Sequence, residues 1–84
     1  MNSKAFITGV QQRLEPLAPI MVPGIIQKQM TEMGILVDTM TPDEAMKFID
    51  RMDEALEMFI GTKGKWTVHE IMMKELRRTA PELF

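Results

Sequence analysis

Residues 41–61, TPDEAMKFIDRMDEALEMFIG, carry the clearest structural signal in this chain. Thr41 can cap a helix, Pro42 suits the first helical position, and Glu44 would complete a capping box with Thr41. Apolar residues then recur at steps of three and four along the segment: Ala45, Ile49, Met52, Leu56 and Phe59. Because this spacing places them on one face, the segment is predicted to form an amphipathic helix that ends at Gly61.

The residues before this segment predict two further helices. The first covers residues 3–14, with Asn2 or Ser3 as its cap. The second begins at Pro23 and ends at Gly34, since glycine readily adopts the left-handed conformation that closes helices.

A fourth helix is predicted after residue 61. Thr67 is its expected cap, Glu70 closes the same kind of box, and Pro81 ends it. Residues 35–37 and 65–67 favour extended structure, and two such short segments could pair as a very short strand pairing between loops.

Length and composition agree with one small helical domain over residues 1–84. The chain has 84 residues, of which 45% are hydrophobic and 26% charged, which is ordinary for a globular protein and excludes a multi-domain enzyme. It has no cysteine, which removes disulfides, thiolate chemistry and cysteine metal sites. The expected fold class is therefore all-α, with four helices in a compact domain.

The turn before the fourth helix resembles half of a calcium loop. Gly64, Trp66 and Glu70 fall at the glycine, apolar and final-glutamate positions of an EF-hand, so the four helices resemble two helix-turn-helix units of an EF-hand pair. The first three ligand positions, however, hold side chains that cannot supply oxygen to calcium: Phe59, Gly61 and Lys63. The resemblance therefore implies an EF-hand-like fold without calcium-binding loops, and calcium binding is not expected.

Two motifs extend the resemblance to a whole family. The run Val22-Pro23-Gly24-Ile25-Ile26, followed by Thr41-Pro42-Asp43-Glu44, is similar to a small uncharacterised all-helical family of methanogenic archaea. That family is EF-hand-like without calcium loops, so the resemblance implies an archaeal source and the same fold. It implies no activity.

The residues that could perform catalysis are few. His69 is the only histidine and Ser3 the only serine, and neither has neighbours in sequence that would form a metal site or an activated nucleophile. The carboxylates at positions 50, 53, 54 and 57 lie on the polar face of the third helix and are expected to be solvated, as is His69. The chain is predicted not to be an enzyme and to have no cofactor and no metal.

The charge distribution argues against nucleic acid and membranes as partners. The formal net charge is −2, and residues 38–60 alone carry seven acidic and two basic side chains, which opposes docking to phosphates. No stretch is long and apolar enough for a bilayer span or a signal peptide, so a cytoplasmic location is expected.

One uncharged segment suggests a contact surface. No charged residue occurs from Pro16 to Gln27, and ten methionines give this methionine-rich chain adaptable apolar side chains. Either the segment is core, or the part from Pro16 to Ile26 is an exposed patch that binds a protein partner or a second copy. The possible partner-binding residues are Ile20, Met21, Val22 and Ile26.

No activity follows from these patterns. The favoured interpretation is a non-catalytic protein-interaction module that uses this apolar surface. The alternative is a small-molecule or ion-binding protein that uses the 61–70 loop, whose lysines at positions 63 and 65 could meet an anion.

Overall fold

Three helices make up most of the chain in the computed structural model, which describes residues 1–83. Their bounds are α1, Ser3–Leu14; α2, Met21–Met33; and α3, Pro42–Thr79, followed by a 3₁₀ turn at Pro81–Leu83. Within residues 1–83 there is no β-strand, so the all-α prediction is confirmed and the short strand pairing is wrong. Residues 35–37 belong to the connection before α3, and residues 65–67 lie inside α3.

Helix α3 begins where the capping box of Thr41 and Glu44 predicts. The Thr41 hydroxyl accepts the Glu44 backbone N–H at 3.2 Å, and the Glu44 carboxylate accepts the Thr41 N–H at 2.9 Å. Pro42 follows at the first helical position. These local contacts satisfy two backbone donors that a helix start would otherwise leave to water.

Helix α3 bends sharply at Gly61. A straight helix of its 38 residues would be about 57 Å long, whereas the longest dimension of the molecule is 31 Å. Gly61 has φ 74° and ψ 175°, a conformation that essentially only glycine adopts. Residues 42–60 and residues 62–79 are therefore two helical segments that fold back on each other about this glycine.

A separate, capped fourth helix is not supported, because the residues predicted to form it belong to the second segment of α3. Helical structure resumes directly after Gly61, so Thr67 and Glu70 lie inside the helix and form no N-terminal cap. A threonine followed three residues later by glutamate also fits the interior of a helix, and sequence spacing alone does not separate the two cases. The 61–70 loop is thus absent, and the EF-hand half-loop that Gly64 was expected to mark has no counterpart.

The two shorter helices agree closely with their predicted ranges. The Asn2 side chain accepts the Ala5 N–H at 3.0 Å and caps α1, which ends at Leu14 as expected. Helix α2 starts at Met21, two residues before the predicted Pro23, since a proline in the first turn removes no intrahelical hydrogen bond. Gly34 ends it in the left-handed conformation at φ 67°.

All three helices contribute to the hydrophobic core. Phe6 of α1 and Phe48 of α3 meet edge to face at its centre, with ring centroids 6.0 Å apart. The other large side chains that are fully buried are Val10, Leu14, Val22, Ile49, Met52, Met72 and Leu76. Phe59 was expected on this apolar face and is instead 59% exposed, because it precedes the bend and no other helix covers it there.

Polar contacts hold the helices in place around the core. The buried Ser3 hydroxyl donates to the Val37 carbonyl and accepts the Met40 N–H at 3.1 Å, which ties the connection before α3 to the start of α1. Arg51 of α3 donates to Gln29 at 2.9 Å and pairs with Glu32, so it links α3 to α2.

Candidate functional site

The predicted contact residues do not share one exposed face. Ile20 is 91% exposed and Met21 is partly buried, but Val22 and Ile26 belong to the hydrophobic core. The reason is helical geometry: Val22 and Ile26 are four residues apart on the inner side of α2, while Ile20 lies on another side. The surface from Pro16 to Ile26 is therefore partly core and partly exposed.

A groove lies between α1, α2 and the connection that precedes α3. Its volume is about 360 Å³. Seven of its nine lining residues are apolar, although polar atoms make up about half of the lining surface. The lining residues are Ile7, Gln11, Pro23, Ile26, Gln27, Met30, Ile35, Leu36 and Val37. Of the predicted contact residues, only Ile26 reaches it.

Two strongly exposed apolar side chains accompany this groove. Leu36, in its lining, is 69% exposed. Ile20 has helical backbone angles at the start of α2, and the spacing of Ile20, Pro23 and Gln27 places Ile20 along the groove-lining side of the helix. Leu36 therefore extends the apolar surface of the groove outward, whereas Ile20 lies outside the lining on the same side of α2.

The groove carries no charged side chain in its lining. Its polar side chains are two amides, whose nitrogens donate to side chains four residues later: Gln11 to Glu15, the C-cap of α1, at 2.9 Å and Gln27 to Thr31 of α2 at 3.2 Å. A neighbouring cleft of about 400 Å³ shares Ile7, Gln11 and Val37 with it and brings in Lys4 and Glu15. The groove lining is thus uncharged, with apolar side chains beside polar atoms that make up about half of its surface, and the adjoining cleft carries charges.

The sequence interpretation missed the residues that the connection contributes. Ile35, Leu36 and Val37 attracted notice only for their extended-structure propensity, although an apolar run without charge in a helix connection also indicates a binding surface. The Ser3 hydroxyl contact to Val37 holds this run against α1. That contact joins residues 34 positions apart, which sequence spacing does not show.

A contact between an acidic side chain and a histidine joins the two segments of α3. Asp53 Oδ2 lies 2.6 Å from His69 Nδ1, and the Asp53 side chain is only 8% exposed. Burial raises the pKa of Asp53, and the contact with His69 offsets this only in part. The expectation that Asp53 and His69 are solvated is therefore wrong, because the bend at Gly61 turns both toward each other.

The surroundings of this pair limit its chemistry. The Trp66 ring packs edge to face on His69, with centroids 5.8 Å apart, and itself is 61% exposed. No cluster of three or more histidine, aspartate and glutamate side chains suited to a metal ion occurs within residues 1–83. The arrangement is a two-residue acid–base pair that bridges two helical segments.

Comparisons with known proteins assign no family to this chain. No protein-family model, no curated protein and no solved structure matches the chain. The resemblance to a methanogen family therefore stays a prediction. Over residues 1–83, none of the helices has both the length and the apolar character needed to cross a bilayer.

Proposed function

We propose that this protein is a non-catalytic interaction module that binds an apolar segment of another protein in the groove between α1, α2 and residues 35–37. The observation that carries the proposal is a groove lined by seven apolar residues and no charged one, with the exposed Leu36 in its lining and the exposed Ile20 outside it on the same side of α2. Large exposed apolar side chains around a groove are typical of protein-binding surfaces.

The lining also defines the chemistry of the partner. A charged side chain placed in this groove would lose water without gaining an opposite charge, which is costly. The partner segment should therefore present apolar side chains on the side that enters the groove. An amphipathic helix with anchors at helical spacing satisfies this condition, and its charged residues would face solvent.

The proposal is tested with a displayed library of random peptides selected on the wild-type chain. Binding of each selected peptide to the wild type is then compared with its binding to Leu36→Glu, which places a charge in the groove lining, and to Ile20→Glu, which places one on the same side of α2 outside the lining. Neither variant removes a buried side chain. Met58→Glu is the matched control, because Met58 is 85% exposed and lies on α3, outside the groove. Circular dichroism establishes that all four proteins are folded.

We expect peptides with apolar residues at helical spacing, whose affinity falls at least about tenfold with either groove variant, a loss of ~1.4 kcal/mol. Met58→Glu should leave their affinity unchanged. Peptides whose affinity is unchanged in both Leu36→Glu and Ile20→Glu, or a library that yields no binder, would contradict the proposal. The groove could also be occupied by a second copy of the chain, and sedimentation of the chain alone tests this. Dimers that dissociate with Leu36→Glu would make a second copy the partner.

A cytoplasmic location belongs to the same proposal. It is supported by the absence of cysteine, since small proteins of oxidising compartments commonly depend on disulfides.

A further inference from the structure

Two ion pairs connect the segments of α3 symmetrically about the bend. Asp53 and His69 are each eight residues from Gly61, and Glu57 and Lys65, whose charged atoms are 2.7 Å apart, are each four residues from it. Asp53 and Glu57 are four positions apart in the first segment, so they lie on the same side of it. The same holds for Lys65 and His69 in the second segment. The two pairs therefore form consecutive rungs between the facing sides of a helical hairpin.

We call the Asp53–His69 pair the inner rung, because Asp53 is buried, and the Glu57–Lys65 pair the outer rung. In the inner rung, the charge of Asp53 is poorly compensated. Asp53 Oδ1 is buried and has no hydrogen-bond partner among the described residues, so His69 is the contact that satisfies the carboxylate. An ionised carboxylate in such a place is costly unless an opposite charge accompanies it. The state of His69 thus determines how well this rung is compensated.

The other charges near Asp53 do not replace His69. The charged groups that change the pKa of Asp53 are His69, Asp50 and Lys65, all of them in α3. Asp50 opposes its ionisation and Lys65 favours it, the latter with the smallest effect. Two other helices pack against α3. In α2, Glu32 pairs with Arg51 of α3. In α1, Gly9 lies close to Glu75 and Arg78 of α3, which pair with each other.

The two rungs respond differently to pH. Imidazole is the side chain whose charge normally changes between about pH 5 and 8. Lys65 donates a hydrogen bond to Glu57, which raises the pKa of Lys65, so Lys65 keeps its charge throughout this range. Of the two rungs, only the Asp53–His69 pair contains an imidazole.

We propose that Asp53 and His69 form a pH-dependent clasp, which holds the two segments of α3 together while His69 is protonated and loosens when it becomes neutral. Protonated His69 pairs with the buried carboxylate across the hairpin. Neutral His69 leaves that carboxylate without a counter-charge, and the segment after Gly61 then opens more often.

Hydrogen exchange of the full chain tests this clasp. Protection of residues 62–69 is measured at pH 5.5 and pH 8.0 by mass spectrometry, after correction for the intrinsic effect of pH on exchange. Residues 3–14 of α1 serve as the internal reference. In the wild type we expect protection of residues 62–69 to fall about fivefold or more between the two pH values, while that of α1 changes less.

Three variants separate the clasp from a general effect of pH. Asp53→Asn and His69→Gln should each abolish the pH dependence, and either one suffices if the other fails to fold. Lys65→Gln is the matched control: it removes the outer rung, so it should lower protection at both pH values and keep the pH dependence. Equal wild-type protection at both pH values, or a pH dependence that survives His69→Gln, would overturn the proposal.

The chain also supplies its own optical reporter. It contains one tryptophan and one histidine, and the two rings are in contact. Trp66 fluorescence should therefore change in a single step between pH 5 and 8, and this step should vanish in His69→Gln. A wild-type signal that is flat across this range would mean that His69 does not change charge there and would exclude the clasp.

Discussion

At the scale of single residues, the main feature is the buried acid of α3. Asp53 occupies a position that is polar in sequence, yet it lies inside the bend beside His69. Burial is the largest influence on this carboxyl, and it disfavours the charged form. Asp53 is therefore a cost to the folded state at neutral pH, and His69 reduces that cost.

The replacement Asp53→Asn should stabilise the protein increasingly as pH rises. Because the pKa of Asp53 is raised in the folded state, its favourable contribution is present at low pH and declines as pH increases through that pKa. Asparagine cannot ionise, so the variant avoids this decline. Urea unfolding at pH 3, 5 and 7 should show the smallest gain over the wild type at pH 3 and the largest at pH 7. A gain that shrinks with pH would contradict the assigned direction of the pKa shift.

A glycine pair tests the backbone argument at the same scale. Gly61→Ala should destabilise the protein by ~1–3 kcal/mol, because alanine is strained at a φ of 74° and a ψ of 175°. Gly24→Ala should instead stabilise it by ~0.5–1 kcal/mol, since Gly24 lies inside α2 with open space around its added Cβ. Urea denaturation measures both changes. Two effects of the same sign would show that the bend does not depend on the glycine conformation.

At the scale of elements, the helix starts differ in how they are determined. Helix α1 and the first segment of α3 begin at side-chain caps, Asn2 and Thr41. The second segment of α3 begins at the bend of Gly61 and uses no cap at Thr67. A capping motif in the sequence is therefore informative only where the chain before it is not already helical.

Two threonine replacements distinguish these starts. Thr41→Ala should cost ~1 kcal/mol, because it removes the oxygen that accepts the Glu44 N–H. Thr67→Ala should stabilise by a few tenths, up to ~0.5 kcal/mol, because Thr67 is an exposed position inside a helix where alanine is preferred. Thermal unfolding of both variants checks this. A loss of ~1 kcal/mol for Thr67→Ala would instead restore a separate fourth helix that starts there.

At the scale of the whole molecule, one small core holds three helices. The radius of gyration is 11.7 Å, close to the value of about 12 Å expected for a folded chain of this length. A domain of this size is expected to have an unfolding free energy of only ~4–13 kcal/mol. Single core contacts are therefore a large part of the total stability.

The replacement Phe48→Ala should be among the most damaging in the chain. Phe48 is fully buried and packs edge to face on Phe6, so its truncation should cost ~3–5 kcal/mol through lost contacts and a cavity. Met58→Ala is the comparison, since that side chain is exposed and should change stability by less than ~0.5 kcal/mol. Urea titrations followed by circular dichroism give both values. A cost for Phe48→Ala near that of Met58→Ala would contradict its central place in the core.

The candidate site shows how far the sequence reaches at this largest scale. The uncharged run from Pro16 includes the exposed Ile20, and it also includes Val22 and Ile26, which are core. The other side of the groove comes from the connection at Leu36, held against α1 through Ser3. Sequence patterns describe one segment at a time, and this groove is formed by segments that are distant in the chain.

By itself, the sequence determined the helical class, the extent of α1 and the capped start of α3, because caps, glycine stops and apolar periodicity act within a few residues. Only the tertiary structure decided that Gly61 folds α3 back on itself, that Asp53 meets His69 inside that bend, and that Phe59 stays in solvent. These outcomes depend on which segments pack together. Burial and pairing are properties of contacts between distant residues, and local spacing does not specify them.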